Sequence, residues 1–201
     1  MDTNPWHFTF QEQRLAYIIS RMTKLHYDDI RQQYKPKHIR FLLVAESPPP
    51  SAEIQSSRHF YRSEIVRKDD RLFVNTIKAL YPEAEDMTET QIEPDKEQWL
   101  RRFQEDGWYM IEALETSQRH AVTKQERQDK IREHLPELIQ RIQSLASADT
   151  KIILVKSNVF DVAAEPLRKA GFTVLNTELV DYPGRFNQRD YREKLRRLSK
   201  Q

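Results

Sequence analysis

The segment after the first strongly apolar stretch of the chain carries a carboxylate and a run of prolines. The apolar sequence IRFLLVA is followed directly by Glu46, Ser47 and the prolines Pro48, Pro49 and Pro50. A carboxylate at the end of a buried strand is partly removed from water, so neighbouring groups can set its pKa and its orientation. Three consecutive prolines hold the backbone extended and offer no amide donors. The pattern is typical of a rigid ligand-binding loop, or of a stiff connector after a strand.

Aromatic rings and further carboxylates occur in two more polar segments. Phe60 and Tyr61 stand in a non-periodic stretch, where their flat faces are suited to stacking on a base or another planar ring. One of the two rings is expected to fold back over the edge of a sheet instead. Glu112 ends a second apolar segment and Glu115 follows it, and together with Glu46 they suit acid–base chemistry or a divalent metal. A glutamate after a strand is more often solvated or paired with an arginine.

A turn-rich segment near the C-terminus, DYPGRFNQ, precedes a helix rich in arginine and lysine. Free amides at the start of a helix favour a phosphate, and the basic residues beyond would add to that attraction. The alternative is an ordinary solvated terminal helix. The residues of this segment best suited to contact a phosphate backbone are Tyr182, Gly184, Arg185 and Asn187.

Composition excludes several classes of function. The 201 residues include no cysteine, which excludes disulfides, thiolate-held zinc and an iron–sulfur cluster and fits a reducing compartment, so we expect a cytoplasmic protein. Neither a signal-peptide pattern nor an apolar stretch of about 20 residues is visible, so we expect no membrane contact. A Gly-rich phosphate loop, a Walker motif, a nucleophile elbow and a metal-like histidine spacing are also missing, so no cofactor or metal is expected. The net charge of +2 is too small to indicate a nucleic-acid partner by itself.

The elements that would position these residues are short apolar strands alternating with helices. Strands are predicted at 39–45, 108–111, 151–155 and 172–175. This order predicts an α/β fold of three layers, α/β/α, with a mainly parallel four-stranded central sheet, spanning 1–201 as a single domain. Regularly spaced leucine and isoleucine predict an amphipathic helix over 9–33, within an N-terminal helical extension of about 1–36.

Ligands of such sheets bind in the crevice at the carboxyl ends of the strands. That rule brings together the segments 46–62, 112–118, 156–158 and 181–188. Ser157 is predicted to be the N-cap of the following helix, and Gly171 to lie just beyond its end. Pro136 is expected either to kink a helix or to start a new one.

Taken in order, these loops resemble the uracil-DNA glycosylase superfamily. The sequence AESPP at 45–49 is similar to the Gly-Glu-Ala-Pro-Gly type of first motif of that family. The aromatic pair follows, and then a strand ending in Glu112, where the family has a base-reading Asn. The sequence YPG at 182–184, with NQ at 187–188, is similar to a His-Pro-Ser motif that some members follow with Gly-Asn-Gln. The resemblance runs from about Ile39 to the C-terminus.

The resemblance implies an enzyme that takes a base out of DNA, holds it on an aromatic ring, reads its Watson–Crick edge and cleaves its N-glycosidic bond. It assigns catalysis to Glu46, which would stabilise a charged sugar or orient the attacking water. Base binding is assigned to Phe60 or Tyr61, Glu112 and Ser47. The implied partner is DNA or another nucleic acid. Contact with its backbone is assigned to Pro48, Pro49, Ser157, Tyr182, Gly184, Arg185 and Asn187.

Two positions depart from the family pattern. Tyr182 stands where the family has a His that stabilises the charge on the leaving base, and Glu112 stands at the base-reading Asn. An ionised Glu only accepts hydrogen bonds, which suits the amino group of cytosine and not the carbonyl oxygen of uracil. Two alternatives therefore stay open: a non-catalytic nucleic-acid- or nucleotide-binding module on the same fold, and a metal-assisted hydrolase using Glu46, Glu112 and Glu115.

Overall fold

A parallel β-sheet forms the centre of the protein. The computed structural model describes residues 27–49, 59–63, 70–118 and 123–201. Within them, four strands form one sheet in the order β2-β1-β3-β4, and every pairing is parallel. The α/β class and the four-stranded parallel sheet predicted from sequence are therefore confirmed. The strands are β1 Phe41–Ala45, β2 Trp108–Glu112, β3 Lys151–Leu154 and β4 Thr173–Val174.

The central strand β1 explains why the sheet is covered on both sides. All of its residues are buried, although successive side chains of a strand point to opposite faces. Leu43 lies opposite Met110 of β2 and Ile153 of β3, so each neighbour adds an apolar row. Such a continuous apolar run is typical of a strand buried on both faces, and both faces of this sheet are accordingly shielded from water.

Helices occupy most of the remaining described chain. Helix α2 packs against α8, and α5 packs against α7. One core cluster includes buried side chains from Tyr34 to Leu198. Within the described ranges, no helix combines the length and the apolar character needed to cross a membrane. The helices are α1 at 27–33, α2 Arg71–Leu80, α3 Glu89–Ile92, α4 Lys96–Glu105, α5 Lys124–Glu133, α6 Leu135–Leu145, α7 Ser157–Lys169 and α8 Gln188–Leu198.

The predicted helix ends agree with the structure at two of three positions. Pro136 lies in the first turn of α6, which starts anew after a short break at His134. Gly171 has φ 89 just after the end of α7. The N-cap prediction for Ser157 is wrong by one residue, because Ser157 is already helical and Lys156 occupies the cap. The helix predicted over 9–33 is helical at 27–33, and its earlier part lies outside the described residues.

The strand order creates a crevice between β1 and β3. The chain leaves β1 towards one side of the sheet to form β2 and then returns across it to form β3 and β4. Ligands of open α/β sheets bind at such a switch point, outside the carboxyl ends of the strands. Here those ends carry Glu46, directly after β1, and Lys156, after β3.

Candidate binding cleft at the carboxyl edge of the sheet

A cleft of about 280 Å³ opens at this switch point. Its lining comes from the end of β1 and the chain leading into α2, from β2, from the residues after β3 and from Tyr182. The structure thus brings together residues that the sequence singled out one by one. Those that line the cleft are Glu46, Ser47, Pro49, Phe60, Glu112 and Tyr182.

Glu46 is buried and is held by three donors. Only 5% of the residue is exposed. Arg127 of α5 donates to Oε1 at 2.8 Å, and Asn158 of α7 donates to Oε2 at 3.0 Å. The ammonium of Lys156 lies 2.5 Å from Oε2. Burial by itself would raise the pKa of Glu46, but the hydrogen bonds from Lys156 and Arg127 outweigh it and lower the pKa, so Glu46 is ionised at neutral pH.

These contacts limit what Glu46 can do chemically. Two carboxylate oxygens offer about four acceptor positions. Of the residues that the structure describes, Arg127, Lys156 and Asn158 occupy three of them, which leaves one for a water molecule. A carboxylate with a lowered pKa is a weak base, so Glu46 is better suited to orient a water than to deprotonate it.

Glu112 lies across the cleft in a different environment. Arg31 of α1 donates to its Oε2 at 3.0 Å, and its Oε1 lies 3.9 Å from Nε2 of His59. Arg141 donates to the backbone oxygen of Glu112 at 3.0 Å. Burial raises the pKa of Glu112, while the charges of Arg31 and Arg141 oppose this shift. The pKa values of the two cleft glutamates are therefore shifted in opposite directions.

Helix α1 contacts three residues of the cleft lining, a role that the sequence did not indicate. The ring of Tyr27 stacks on His59 with 4.5 Å between centroids, and its hydroxyl donates to the backbone oxygen of Pro49 at 3.0 Å. Arg31 from the same helix binds Glu112. Residues 27–33 therefore tie the proline segment, His59 and Glu112 to one another.

Phe60 and Tyr61 differ in their position relative to the cleft. Tyr61 is fully buried, and its hydroxyl is bound to the backbone nitrogen of Met110 at 2.5 Å, so it covers the sheet and does not line the cleft. Phe60 lines the cleft and packs edge-on against Phe73 with 5.5 Å between centroids. Of the two predicted stacking rings, Phe60 is the one that lines the cleft, with 3% of the residue exposed.

A buried ion pair fixes the segment that carries Phe60. Lys96 of α4 donates to Asp70 at 2.7 Å and to the backbone oxygen of His59 at 3.0 Å. Asp70 in turn caps α2 by accepting from the backbone nitrogen of Phe73 at 3.1 Å. Two helices and the aromatic segment thereby meet at one lysine.

The segment 181–187 before α8, called the rim below, reaches the cleft lining through Tyr182. Tyr182 is 40% exposed and Phe186 is 88% exposed, and the guanidinium of Arg185 lies 5.6 Å from the Phe186 ring. Asn187 donates to Asp181 at 3.1 Å, which fixes the turn. The rim thus presents two aromatic rings and one cation to solvent.

Three of the α8 cations that the sequence offered for contact with a phosphate make contacts within the protein. Arg192 binds Asn75, and Arg196 binds the backbone oxygens of Lys78 and Ala79. Arg197 pairs with Glu178. These side chains attach the helix to the rest of the fold. Five other predicted backbone contacts are not part of the cleft lining. Pro48 is buried, Ser157 is half-buried, and Gly184, Arg185 and Asn187 lie in the segment between Tyr182 and α8.

The backbone at Lys156 is unusual. Within the described ranges it is the one residue other than glycine with a positive φ, at φ 80 and ψ 142. Its amide donates to the backbone oxygen of Val180 at 2.8 Å, beside the bridge between Val155 and Val180. Lys156 thus links the end of β3 to the segment that leads to Tyr182.

The metal-assisted hypothesis finds no support in this geometry. The described residues contain no group of three His, Asp or Glu side chains that could hold a metal ion. Glu46 faces Arg127 and Lys156, and Glu112 faces Arg31. Each carboxylate is therefore already neutralised by a side-chain cation.

Comparison with protein-family models, with curated proteins and with solved structures gave no match. The function of the chain is therefore inferred from the arrangement of its own residues around the cleft.

Proposed function

We propose that the cleft binds a single base of DNA and that the protein is a divergent uracil-DNA glycosylase-like enzyme, cleaving the N-glycosidic bond of a damaged or non-standard base. The observation that carries the proposal is the convergence of Glu46, Phe60, Glu112 and Tyr182 on one cleft. Its volume of about 280 Å³ is near the lower end for ligand pockets, which begin at roughly 300 Å³. A cleft of this size suits one ring system rather than a larger cofactor.

Recognition of the base would use Phe60 and Glu112. An extruded base is held by stacking and is identified through its Watson–Crick edge. Phe60 supplies an aromatic ring at the cleft. The carboxylate of Glu112 accepts from an amino group when Arg31 keeps it ionised. When protonated, as its raised pKa allows, Glu112 donates instead to a carbonyl oxygen such as those of xanthine.

Cleavage would proceed through a positively charged sugar. The bond between C1′ and the base nitrogen breaks, and its electron pair leaves with the base. A water adds to C1′, and its proton ends on the departed base. Glu46 has one acceptor position left for that water.

The rim would hold the strand from which the base is taken. Exposed rings such as those of Tyr182 and Phe186 stack on unpaired bases, and Arg185 provides a contact for a phosphate. Pro49 stiffens the opposite edge. We assign these residues to the nucleic-acid strand and the cleft interior to the base.

An excision assay with a panel of bases tests the proposal. Single- and double-stranded oligonucleotides carrying uracil, hypoxanthine, xanthine or a mismatch are incubated with the protein and analysed for abasic sites. At least one base is expected to be released. Glu46→Gln is expected to slow that release by about 100-fold, because general acid–base and water-orienting groups contribute roughly 10²–10⁴.

The matched control is Glu165→Gln, on an exposed part of α7 where Glu165 pairs with Lys169. It is expected to excise at the wild-type rate. Excision that survives Glu46→Gln unchanged would remove Glu46 from the reaction.

A non-catalytic nucleic-acid-binding module is the second candidate. The observation that favours it is the engagement of Glu46 by Arg127, Lys156 and Asn158, which leaves little room for acid–base chemistry. Salt-sensitive binding of single strands without release of any base in the panel would decide for the module.

A further inference from the structure

Lys156 adopts a backbone conformation that glycine would adopt more easily. Its φ of 80 places a side-chain-bearing residue in the left-handed half of conformational space. Such residues persist only where the surrounding structure holds them, and they cluster at functional sites. Here the amide is held by Val180 and the ammonium by Glu46. The chain thus has a lysine directly after β3 at a position where the backbone of a glycine would be less strained.

The ammonium of Lys156 can reach a ligand in the cleft. Lys156 lines the cleft together with Tyr182 and Glu112, and 34% of its side chain is exposed. An ammonium has three N–H donors. Glu46 accepts one of them, and the described part of the chain leaves the other two for a ligand.

The charge around Glu46 is unbalanced. Among the described residues, Arg127 and Lys156 both pair with Glu46, so these two cations and one carboxylate leave one net positive charge. The other two carboxylates of the lining are matched differently, since Glu112 pairs with Arg31 and Asp70 with Lys96. The excess positive charge therefore lies at the end of the cleft formed by Glu46 and Lys156. That end favours an anion.

We propose that Lys156 is a catalytic residue that stabilises the negative charge on the departing base by donating a hydrogen bond to it. The inference rests on the proposed function, in which the electron pair of the broken bond stays on the base. A donor held in place before the reaction stabilises such a charge best in a site that excludes water. Tyr182 is 40% exposed and is a neutral donor, whereas Lys156 is charged and is anchored through Glu46 and Val180.

Binding of an ionised free base tests the inference without requiring turnover. Xanthine loses a ring proton in the neutral pH range, so calorimetric titration below and above that range compares the neutral base with its anion. Wild-type protein is expected to bind the anion more tightly. Lys156→Met is expected to lose that preference and about tenfold or more in affinity for the anion, since hydrogen bonds between charged groups are strong.

Two controls separate the charge in the cleft from other charges. Lys169→Met removes an exposed lysine near the far end of α7, where it pairs with Glu165, and is expected to bind as wild type does. Inorganic phosphate is the second probe. If Lys156→Met lost phosphate binding but kept xanthine binding, the charge would belong to a nucleotide phosphate and the proposal would be overturned. Equal binding of the xanthine anion by wild type and Lys156→Met, or no binding by either, would also overturn it.

A glycine variant guards against a simple folding defect. Lys156→Gly removes the same ammonium but relaxes the backbone, so it is expected to melt a few degrees above Lys156→Met while losing xanthine binding to the same extent. A Lys156→Gly protein that melts no higher than Lys156→Met would contradict the strain argument. Lys156-dependent binding of xanthine by a protein that excises no base would refute the reaction but keep the anion site, so the two failures are distinguishable.

Discussion

At the scale of single residues, the two glutamates of the cleft are held in opposite ways. Glu46 accepts hydrogen bonds from Arg127, Lys156 and Asn158. Its pKa is therefore lowered, although burial by itself would raise it. Glu112 is dominated by burial, and its pKa is raised. Pairs of carboxyl groups pushed apart in this manner divide roles in enzymes, one staying ionised and the other able to carry a proton.

Opposite pKa shifts predict opposite effects of pH on stability. The folded pKa of Glu46 lies below its ordinary value of 4.5, so its ionised form stabilises the fold above that pH and the stabilisation is lost as pH falls further. Glu46→Gln is expected to lower the free energy of unfolding by about 2 kcal/mol at neutral pH, because it removes charged hydrogen bonds. The difference in the free energy of unfolding between wild type and Glu46→Gln should become smaller below pH 4.5.

Glu112 should behave in the reverse sense. Its folded pKa lies above 4.5, so the fold binds the proton more tightly than the unfolded chain and loses stability as pH rises from that value. The stability of Glu112→Gln relative to wild type should therefore increase as the pH rises over that range. Urea denaturation at a series of pH values measures both differences. A difference that does not change with pH would contradict the assigned environment of either residue.

At the scale of elements, Lys96 joins α2 and α4 to the segment that carries Phe60. It is buried with Asp70 and also donates to the backbone of His59. Removal of one partner of a buried pair leaves the other charge uncompensated, at a cost of roughly 3–5 kcal/mol. Lys96→Met is accordingly expected to lower the free energy of unfolding by about 3 kcal/mol.

The double variant provides the control for this prediction. Asp70→Asn keeps an N-cap for α2, because Asn caps helices as well as Asp does. Combined with Lys96→Met it removes both charges of this buried pair and should recover part of the lost stability. Denaturant melts of the single and double variants give the comparison. A Lys96→Met protein within 1 kcal/mol of wild type would show that the pair does not hold the segment.

Elements were more predictable than the contacts between them. The strands β1, β2 and β3 are continuous apolar runs, and such runs are readily recognised in a sequence. β4 covers only Thr173–Val174 of the predicted 172–175, because short edge strands carry a weaker pattern. The role of α1 was not visible, since Arg31 and Glu112 are 81 positions apart in the chain.

At the scale of the whole molecule, strand order decided which predicted residues meet. The rule for parallel sheets selected the correct edge, so Glu46, Glu112 and Tyr182 were found together in one cleft. It could not select Arg127, because α5 carries several similar cations and only the fold places this one on Glu46. Lys156 lay within the selected segment 156–158 but was given no role, since its positive φ is unexpected for a lysine.

The central claim is that a single base enters the cleft, and a binding comparison tests it most directly. Fluorescence anisotropy measures affinity for a short single strand of DNA and for a strand of the same length made of abasic units, which carry the same phosphates. Wild-type protein is expected to prefer the normal strand by about tenfold or more, given the strength of base stacking.

Ser47→Trp fills the cleft with a large side chain, because Ser47 lies in its lining. Ser144→Trp places the same side chain at an exposed position on α6 and serves as the control. The preference for the normal strand should largely disappear in Ser47→Trp and persist in Ser144→Trp, with both proteins folded. A wild-type protein that binds both strands equally, or a Ser47→Trp protein that keeps the full preference, would contradict the account.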